Sequence, residues 1–180
     1  MPGWSGGTRA MEIPTLETER LTLRALRVDD FEPYHAMCSD PAVMEFIGQG
    51  KLSTPLESWR QIAAILGHWH LRGYGSWALE EKNTGRLVGR CGFINPETWP
   101  ELEIGWALVR EYWGRGYATE AARAALDYGR SGFGFGRVIS LIHAKNTRSA
   151  AVAQRLGAVW EREIEFFDQP VQVYVYRLRD

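Results

Sequence analysis

The segment Val109-Arg-Glu-Tyr-Trp-Gly-Arg-Gly-Tyr-Ala-Thr-Glu-Ala121 decides the fold of this chain. It follows an apolar strand pattern, turns at Gly114 and Gly116, and leads into an alanine-rich helix predicted over Tyr117–Arg130. Glycine allows a sharp turn and lets a ligand approach the backbone N–H groups. Because the first turn of a helix has unpaired donors and partial positive charge, the pattern indicates a phosphate-binding turn. A simple tight connection has the same pattern.

Patterns on both sides of this turn predict one α/β domain with a mixed sheet. The predicted strands are Leu21–Arg27, Gly75–Glu81, Arg86–Phe93, Glu101–Val109, Arg137–His143, Val159–Phe166 and Val171–Leu178. Helices are predicted through Phe31, Tyr34 and Met37, from Thr54-Pro55 to Gly73, over Tyr117–Arg130 and over Asn146–Leu156. No repeat or break in composition divides the chain. We therefore expect a flexible N-terminal tail over 1–14 and a single domain over 15–180.

Length and composition are those of an ordinary globular protein. The chain has 180 residues, of which 45% are hydrophobic and 24% are charged. No apolar run is long enough for a membrane-spanning helix, and the first residues do not resemble a signal peptide, so we expect a cytoplasmic protein without a membrane partner. Cys38 and Cys91 are far apart and lack metal-ligand spacing, so buried thiols and no metal site are expected.

The charge is balanced overall but uneven along the chain. The formal net charge is −1, whereas residues 110–155 contain eight basic and three acidic side chains. A near-neutral protein is a poor general binder of nucleic acid, because that affinity comes from neutralising many phosphates. A basic island around a glycine turn suits a small polyanion better, although solvated helix faces have the same composition.

Two segments resemble the GNAT superfamily of acetyl-CoA-dependent N-acetyltransferases. Arg110–Ala121, with Trp113-Gly-Arg-Gly-Tyr-Ala118 inside it, resembles the pyrophosphate loop of that superfamily, Gln/Arg-x-x-Gly-x-Gly/Ala. Asn146-Thr-Arg-Ser-Ala-Ala-Val-Ala-Gln-Arg-Leu-Gly157 resembles its Asn-led helix that ends in Leu-Gly. The resemblance implies acetyl-CoA as co-substrate.

A third segment resembles one branch of this superfamily. Thr18-Glu-Arg-Leu-Thr-Leu-Arg24, followed by Asp30 and by Ser39-Asp-Pro-Ala-Val-Met44, is similar to the opening of the RimJ/RimL-type ribosomal-protein N-terminal acetyltransferases. The three segments occur in order between Leu16 and Leu178. They imply a GNAT-like fold: a central, mixed, mostly antiparallel sheet of about seven strands, flanked by helices, in which two splayed strands form the CoA cleft.

The resemblance also implies which residues bind CoA. Backbone N–H groups between Trp113 and Thr119 would hold the pyrophosphate, and the strand before the turn would pair with the pantetheine amides. Asn146 would hydrogen-bond the pantetheine arm. The implied CoA-binding residues are Trp106, Ala107, Leu108, Val109, Arg110, Trp113, Gly114, Arg115, Gly116, Tyr117, Ala118, Thr119 and Asn146.

The chemistry that the resemblance implies is direct transfer without an acyl-enzyme. A neutral amine attacks the thioester, so the enzyme must remove a proton, stabilise an oxyanion and protonate the thiolate. Many members carry a tyrosine acid seven positions after the Asn, but this chain has Ala153 there. Ser149 is the nearest replacement, and the alternative is that its hydroxyl caps the helix.

Glu103 is the candidate general base. Glu101 and Glu103 alternate with apolar residues, so both should point to one face of a strand, which is either the cleft or solvent. His143 is a candidate proton relay or a packed strand-end histidine. Together with Glu45 and Glu97, the two carboxylates would suit a cationic amine near the cleft.

Three functions are therefore carried forward. The first is acetylation of a protein or peptide N-terminus, which the branch resemblance favours. The second is acetylation of a small amine, such as an antibiotic, a polyamine or an amino acid. The third is a non-catalytic acyl-CoA sensor, because the usual tyrosine is missing. The alternating strand Val171–Leu178 could also extend a sheet across a homodimer.

Overall fold

The computed structural model describes residues 12–179, which fold as one eight-stranded sheet flanked by helices. The strands are β1 (Leu16–Glu17), β2 (Leu21–Arg24), β3 (Ser76–Glu81), β4 (Leu87–Ile94), β5 (Glu103–Leu108), β6 (Arg137–His143), β7 (Val159–Phe166) and β8 (Gln169–Arg177). The helices are α1 (Phe31–Cys38), α2 (Pro41–Met44), α3 (Pro55–Arg72), α4 (Tyr117–Ser131) and α5 (Thr147–Arg155), with 3-10 turns at Val28–Asp30 and Arg110–Tyr112. The predicted mixed, mostly antiparallel sheet in a single domain is confirmed.

Each of the seven predicted strands is present, and the eighth, β1, has only two residues. The short helix α2 was not predicted; its N-cap is Asp40, whose carboxylate accepts a hydrogen bond from the Ala42 N–H at 2.8 Å. Of the predicted tail over 1–14, residues 1–11 lie outside the described part of the chain. Ile13 packs against the apolar cluster that contains Trp77 and Phe93, and Trp77 Nε1 donates to the Pro14 carbonyl at 2.7 Å.

The helix α3 shows how local sequence sets the ends of an element. Thr54 caps its first turn by accepting from the Glu57 N–H, and the Glu57 carboxylate accepts in return from the Thr54 N–H at 2.7 Å. Gly73 ends the helix in the left-handed conformation, with φ of 76°. Both ends agree with the predicted span, because capping depends on residues adjacent in sequence.

The strands β5 and β6 are the one parallel pair among the described strands, and they are paired over a short distance only. The order is β1-β2-β3-β4-β5-β6-β8-β7, and β5 pairs with β6 at a single register position, Glu103 with Ile139. A buried hydrogen bond from Ser140 Oγ to the Ile104 carbonyl, at 2.7 Å, also ties them. Beyond this point the strands diverge, and the gap between them opens a cavity.

The two largest of three apolar clusters among residues 12–179 cover the two faces of the sheet. The larger cluster includes Trp69, Trp77 and Phe93, whose rings meet edge to face. The smaller cluster, called here the second core, lies under α1, α2 and α3 and includes Tyr34 and Met37. The second core therefore determines how α1 and α3 sit above the centre of the sheet.

A buried ion-pair network fixes α1 to the sheet. Arg24 on β2 donates to both carboxylate oxygens of Asp30, at 2.7 and 2.8 Å, and its Nε donates to Glu80 on β3 at 2.6 Å. Asp30 also accepts from the Arg27 N–H at 2.7 Å. Because each charge is hydrogen-bonded to the others, loss of any one partner would leave an uncompensated buried charge, and the network fixes the start of α1 in place.

The predicted dimer edge is wrong in one respect. The strand β8 pairs with β6 on one side and with β7 on the other, so it has no free edge, and β7 is the outer strand of the sheet.

None of the helices between residues 12 and 179 has the length and apolar character that crossing a membrane requires.

Candidate active site

A cavity of about 1820 Å³ fills the gap between β5 and β6 and continues over the start of α4 and α5. Most of the predicted site residues line it. They are Glu103, Trp106, Ala107, Leu108, Arg110, Trp113, Gly114, Gly116, Tyr117, Ala118, Thr119, Asn146 and Ser149. Val109 and Arg115 do not: the Val109 N–H pairs with the Val88 carbonyl at 3.0 Å, and the Arg115 guanidinium lies over the Tyr112 ring.

The glycine turn has the geometry that its sequence predicts. Gly114 and Gly116 have φ of 75° and 82°, a region that side chains with a Cβ rarely adopt. Gly116 is the N-terminal cap residue of α4 and supplies no side-chain acceptor to the first turn. Among residues 12–179, no turn or cap hydrogen bond is donated by the N–H groups of residues 114–119, so they can bind an anion in the cavity.

Two residues at the other end of the chain hold this turn from outside. Arg20 Nη1 donates to the Arg115 carbonyl at 2.8 Å, and the same guanidinium pairs with Glu120 on α4 at 2.6 Å. Thr18 Oγ1 donates to the Glu120 carboxylate at 2.6 Å. Sequence reasoning missed this role, because about a hundred residues separate the two sides and no local pattern links them.

Basic side chains surround the turn. Arg110, Arg123 and Arg148 line the cavity, and Arg148 stacks over the Trp113 ring with 4.7 Å between the guanidinium carbon and the ring centroid. Trp113 itself is held by a hydrogen bond from Nε1 to the Leu108 carbonyl at 2.9 Å. Part of the predicted basic island therefore faces the cavity, where it suits a polyphosphate.

Glu103 is recessed in the cavity wall at the point where β5 and β6 part. Its carboxylate accepts from Trp99 Nε1 at 2.6 Å and from the Leu141 N–H at 3.4 Å. Burial raises the pKa of Glu103 to about 7, against the lowering effect of the two hydrogen bonds. A carboxylate with that pKa can take up a proton near neutral pH.

Glu101 does not line the cavity, so of the two carboxylates only Glu103 reaches the cleft. Its carboxylate pairs with Arg137 at 2.6 Å and with Arg162 at 2.9 Å, outside the cavity. The Arg137 hydrogen bond, with that of Arg162, lowers the pKa of Glu101 to about 2. Glu101 precedes β5, which begins at Glu103, and its carboxylate is taken up by arginines of β6 and β7 instead of facing the cavity.

Fewer carboxylates surround the cleft than the sequence predicts. Glu97 pairs with Arg72 at 2.5 Å, and Glu101 is held as described. Of the four carboxylates named from the sequence, Glu45 and Glu103 line the cavity. The acceptor side of the site is therefore less acidic than the sequence suggested.

Asn146 and Ser149 lie together at the start of α5. The Asn146 side-chain oxygen accepts from the Ser149 N–H at 3.1 Å, so Asn146 provides the helix cap. The Ser149 hydroxyl is not the cap, and the residue lines the cavity. Ala153, at the position where the family resemblance implies a tyrosine acid, is fully buried in the larger apolar cluster.

His143 at the end of β6 also lines the cavity but is held by neighbours. Its Nδ1 accepts from the Lys145 N–H at 3.1 Å, and its Nε2 lies 3.3 Å from the Gln169 side-chain oxygen. The ring stacks on Phe46 with 5.1 Å between centroids. These contacts fit a packed strand-end histidine, the second of the two roles considered for it.

A second, smaller cavity of about 620 Å³ adjoins the first on the α1 and α3 side. The two cavities share wall residues, among them Arg90 on β4, Ala107 on β5 and Phe167. Sequence reasoning missed Arg90, although a signal was present: it is the one charged residue inside the apolar stretch from Leu87 to Ile94.

The raised pKa of Glu103 predicts a pH-dependent cost to folding. Below the pKa of the unfolded carboxyl the residue is protonated in both states, and the cost appears as pH rises toward 7, where the folded protein must ionise it. Glu103→Gln should therefore stabilise the protein by about 2–3 kcal/mol at pH 9 and by little at pH 4. Urea unfolding of both proteins across this range tests it; a difference that does not vary with pH would contradict the assignment.

Comparisons with known proteins identify the family. Residues 20–159 match the family model described as the acetyltransferase (GNAT) domain. The chain is 34% identical over 167 residues to the uncharacterized protein YkkB of Bacillus subtilis (strain 168), covering 88% of this chain and 93% of that protein.

Solved structures agree with this match. An acetyltransferase from Agrobacterium tumefaciens str. C58 superposes with a TM-score of 0.82 at 33% identity, covering 92% of this chain and 95% of that one. A RimL ribosomal L7/L12 alpha-N-protein acetyltransferase in complex with coenzyme A shares the fold at 17% identity, with a TM-score of 0.73 and coverage of 91% and 98%. The chain belongs to the GNAT family of acetyltransferases.

Proposed function

We propose that the protein transfers the acetyl group of acetyl-CoA to a primary amine, with Glu103 as the general base. One observation carries this proposal: a recessed carboxylate, whose pKa is raised to about 7, lies in the cavity wall at the point where β5 and β6 diverge. An amine acceptor placed there would lose its proton to a group matched to neutral pH.

The residues around the large cavity fit CoA. Its volume of about 1820 Å³ accommodates a long ligand, and the glycine turn offers free N–H donors beside arginine side chains. Arg110 and Arg148 would bind phosphates, and the edge of β5 that β6 leaves open would pair with the pantetheine amides. Because the Asn146 side-chain oxygen caps α5, its NH₂ group is the part available to the pantetheine arm. Acetyl-CoA supplies the acetyl group as a thioester.

Glu103 and Ser149 divide the proton transfers in this proposal. The Glu103 carboxylate accepts the proton of the amine, directly or through one water molecule. The Ser149 hydroxyl, which lines the cavity and does not cap α5, donates a hydrogen bond to the departing sulfur, and if it passes its proton to the sulfur it takes one up from solvent. No covalent intermediate with the protein is required.

Two acceptor classes fit this site, and the peptide N-terminus is the one we favour. The RimL neighbour acts, by its title, on a protein α-amine, and the opening segment of this chain resembles that branch. A small amine is the second candidate, because the adjoining cavity of about 620 Å³ has the size of a small-molecule site. A silent CoA-binding sensor is the third, motivated by Ala153.

A panel of acceptors tests the proposal. Wild-type protein is incubated with acetyl-CoA and either peptides that begin with Ser, Ala or Met or small amines, and the release of CoA thiol is followed. We expect turnover of peptides, and turnover of small amines alone would favour the second class. CoA binding without turnover on any acceptor would overturn catalysis in favour of the sensor.

The phosphate assignment is tested at Gly116. Valine there would be strained at φ of 82°, and its Cβ would press on Arg20 Nη2 at 3.4 Å, which holds the turn, so Gly116→Val should weaken CoA binding at least about tenfold in calorimetry. Gly85→Val, in the β3–β4 turn at φ of 68°, is the matched control for strain away from the cavity. If Gly116→Val binds CoA like wild type, the pyrophosphate is bound elsewhere.

The base assignment is tested by a pH profile. Wild-type kcat/KM should rise about tenfold per pH unit up to about 7 and then level, because Glu103 must be ionised to accept the proton. Glu103→Gln should lower turnover by about a hundredfold or more with CoA affinity nearly unchanged. Glu101→Gln, outside the cavity, should keep the wild-type profile. An unchanged rate in Glu103→Gln at every pH would remove Glu103 as the base.

A further inference from the structure

Arg90 is a cation placed under the second core. Arg24, Ala78, Arg90 and Ala107 lie opposite one another in register across β2, β3, β4 and β5. Directly opposed residues share a face of the sheet, so the four side chains form one row beneath α1 and α3. Both alanines are buried, and because each ends at Cβ they leave room beside Arg90.

The two arginines of this row differ in their partners. Arg24 is neutralised by Asp30 and Glu80. No ion pair between residues 12 and 179 includes Arg90, and its Nε is buried without a hydrogen-bond partner in that range. A recessed cation without a counter-ion is costly. The contrast within one row indicates that the counter-ion of Arg90 comes with a ligand.

The other polar groups of the small cavity satisfy one another. Tyr34 Oη and Cys38 Sγ donate to the Gln61 side-chain oxygen at 3.2 and 3.5 Å, and Gln61 Nε2 donates to Ser53 Oγ at 2.9 Å. Burial raises the pKa of Tyr34 to about 12 and also raises that of Cys38, and the Arg90 charge opposes both shifts. Arg90 thus touches this network through Tyr34, while its Nε keeps no partner among residues 12–179 and can bind a molecule in the cavity.

The mouth of the small cavity carries more positive than negative charge. Lys51 and Arg60 line it, and the one carboxylate among its lining residues, Glu57, is engaged in the cap of α3. An approaching anion therefore meets a favourable field before it reaches Arg90. The rest of the wall is largely apolar, with Val43, Met44 and Ile47 among its residues.

We propose that Arg90 binds an anionic group of the acceptor, so that the substrate class is a primary amine that carries a carboxylate or similar oxyanion beside an apolar body. This inference rests on the proposed acetyl transfer. Arg90 lines both cavities, so a molecule held by it in the smaller one extends toward the larger one, where Glu103 lies. A guanidinium suits the task because its planar donors match a carboxylate in pairs.

Two sources can supply this chemistry. One is a free amino acid or a related small molecule, in which the carboxylate lies near the amine. The other is a peptide whose N-terminal amine is followed by an acidic side chain. The shared requirement is the negative charge, and matched pairs of acceptors separate the sources.

The test compares acceptors that differ only in charge. The small pair is phenylalanine and phenylalaninamide, and the peptide pair is two C-terminally amidated tetrapeptides with Asp or Asn in second position. In at least one pair, the wild type should acetylate the anionic member with a kcat/KM about tenfold to a hundredfold higher. Calorimetry in the presence of CoA should show the same preference in binding.

Variants assign the preference to Arg90. Arg90→Met should lower the kcat/KM and the binding affinity of the anionic member to the values of the neutral member. Arg90→Lys should restore part of the preference for the anionic member. Arg86→Met, at an exposed position just before β4, should behave like wild type. A preference that survives Arg90→Met, or wild-type acetylation without preference in either pair, overturns the inference. Preferential binding without transfer supports the Arg90 role and contradicts the proposed acetyl transfer instead.

Discussion

The brief contact between β5 and β6 is the constraint on which the site depends. The strands share one register position and one buried hydrogen bond, from Ser140 Oγ to the Ile104 carbonyl, and then separate. Had they stayed paired, the edge of β5 would be used inside the sheet and no cavity would exist. The separation also leaves Glu103 at the apex of the gap, recessed enough for its pKa to rise and open enough to meet an acceptor.

The second support of the site comes from the start of the chain. Thr18 and Arg20 hold Glu120, and Arg20 also binds the Arg115 carbonyl, so the glycine turn is fixed by the connection between β1 and β2, at the rim of the cavity. The turn can then present its N–H donors, because Gly114 and Gly116 have no side chains and the Arg115 guanidinium lies over the Tyr112 ring, outside the cavity lining. Rigidity and an open anion site are compatible here because the stabilising contacts lie outside the turn.

Local sequence was sufficient for much of this architecture and insufficient for its chemistry. Capping residues and glycines mark the ends of α3, and the apolar pattern of the sequence predicts β6 with the bounds that the structure has, Arg137–His143. The fate of Glu101 was not predictable, because it depends on Arg137 and Arg162, which reach it through the topology of the sheet. Arg90 is similar: its position is plain in the sequence, but its lack of a counter-ion emerges only when Arg24 is seen to be fully paired beside it.

Acceptor charge and base strength are coupled if Arg90 binds an anion. In the protein without acceptor, burial raises the pKa of Glu103 and the positive charge of Arg90 partly opposes that rise. An anionic group seated on Arg90 cancels much of its field, so the pKa of Glu103 moves further upward in the complex. The carboxylate then becomes a stronger base once the right acceptor is bound, while the fraction that is ionised at neutral pH falls. The charges of Arg90 and Glu103, across the wall shared by the two cavities, would thus serve both to select the acceptor and to activate its amine.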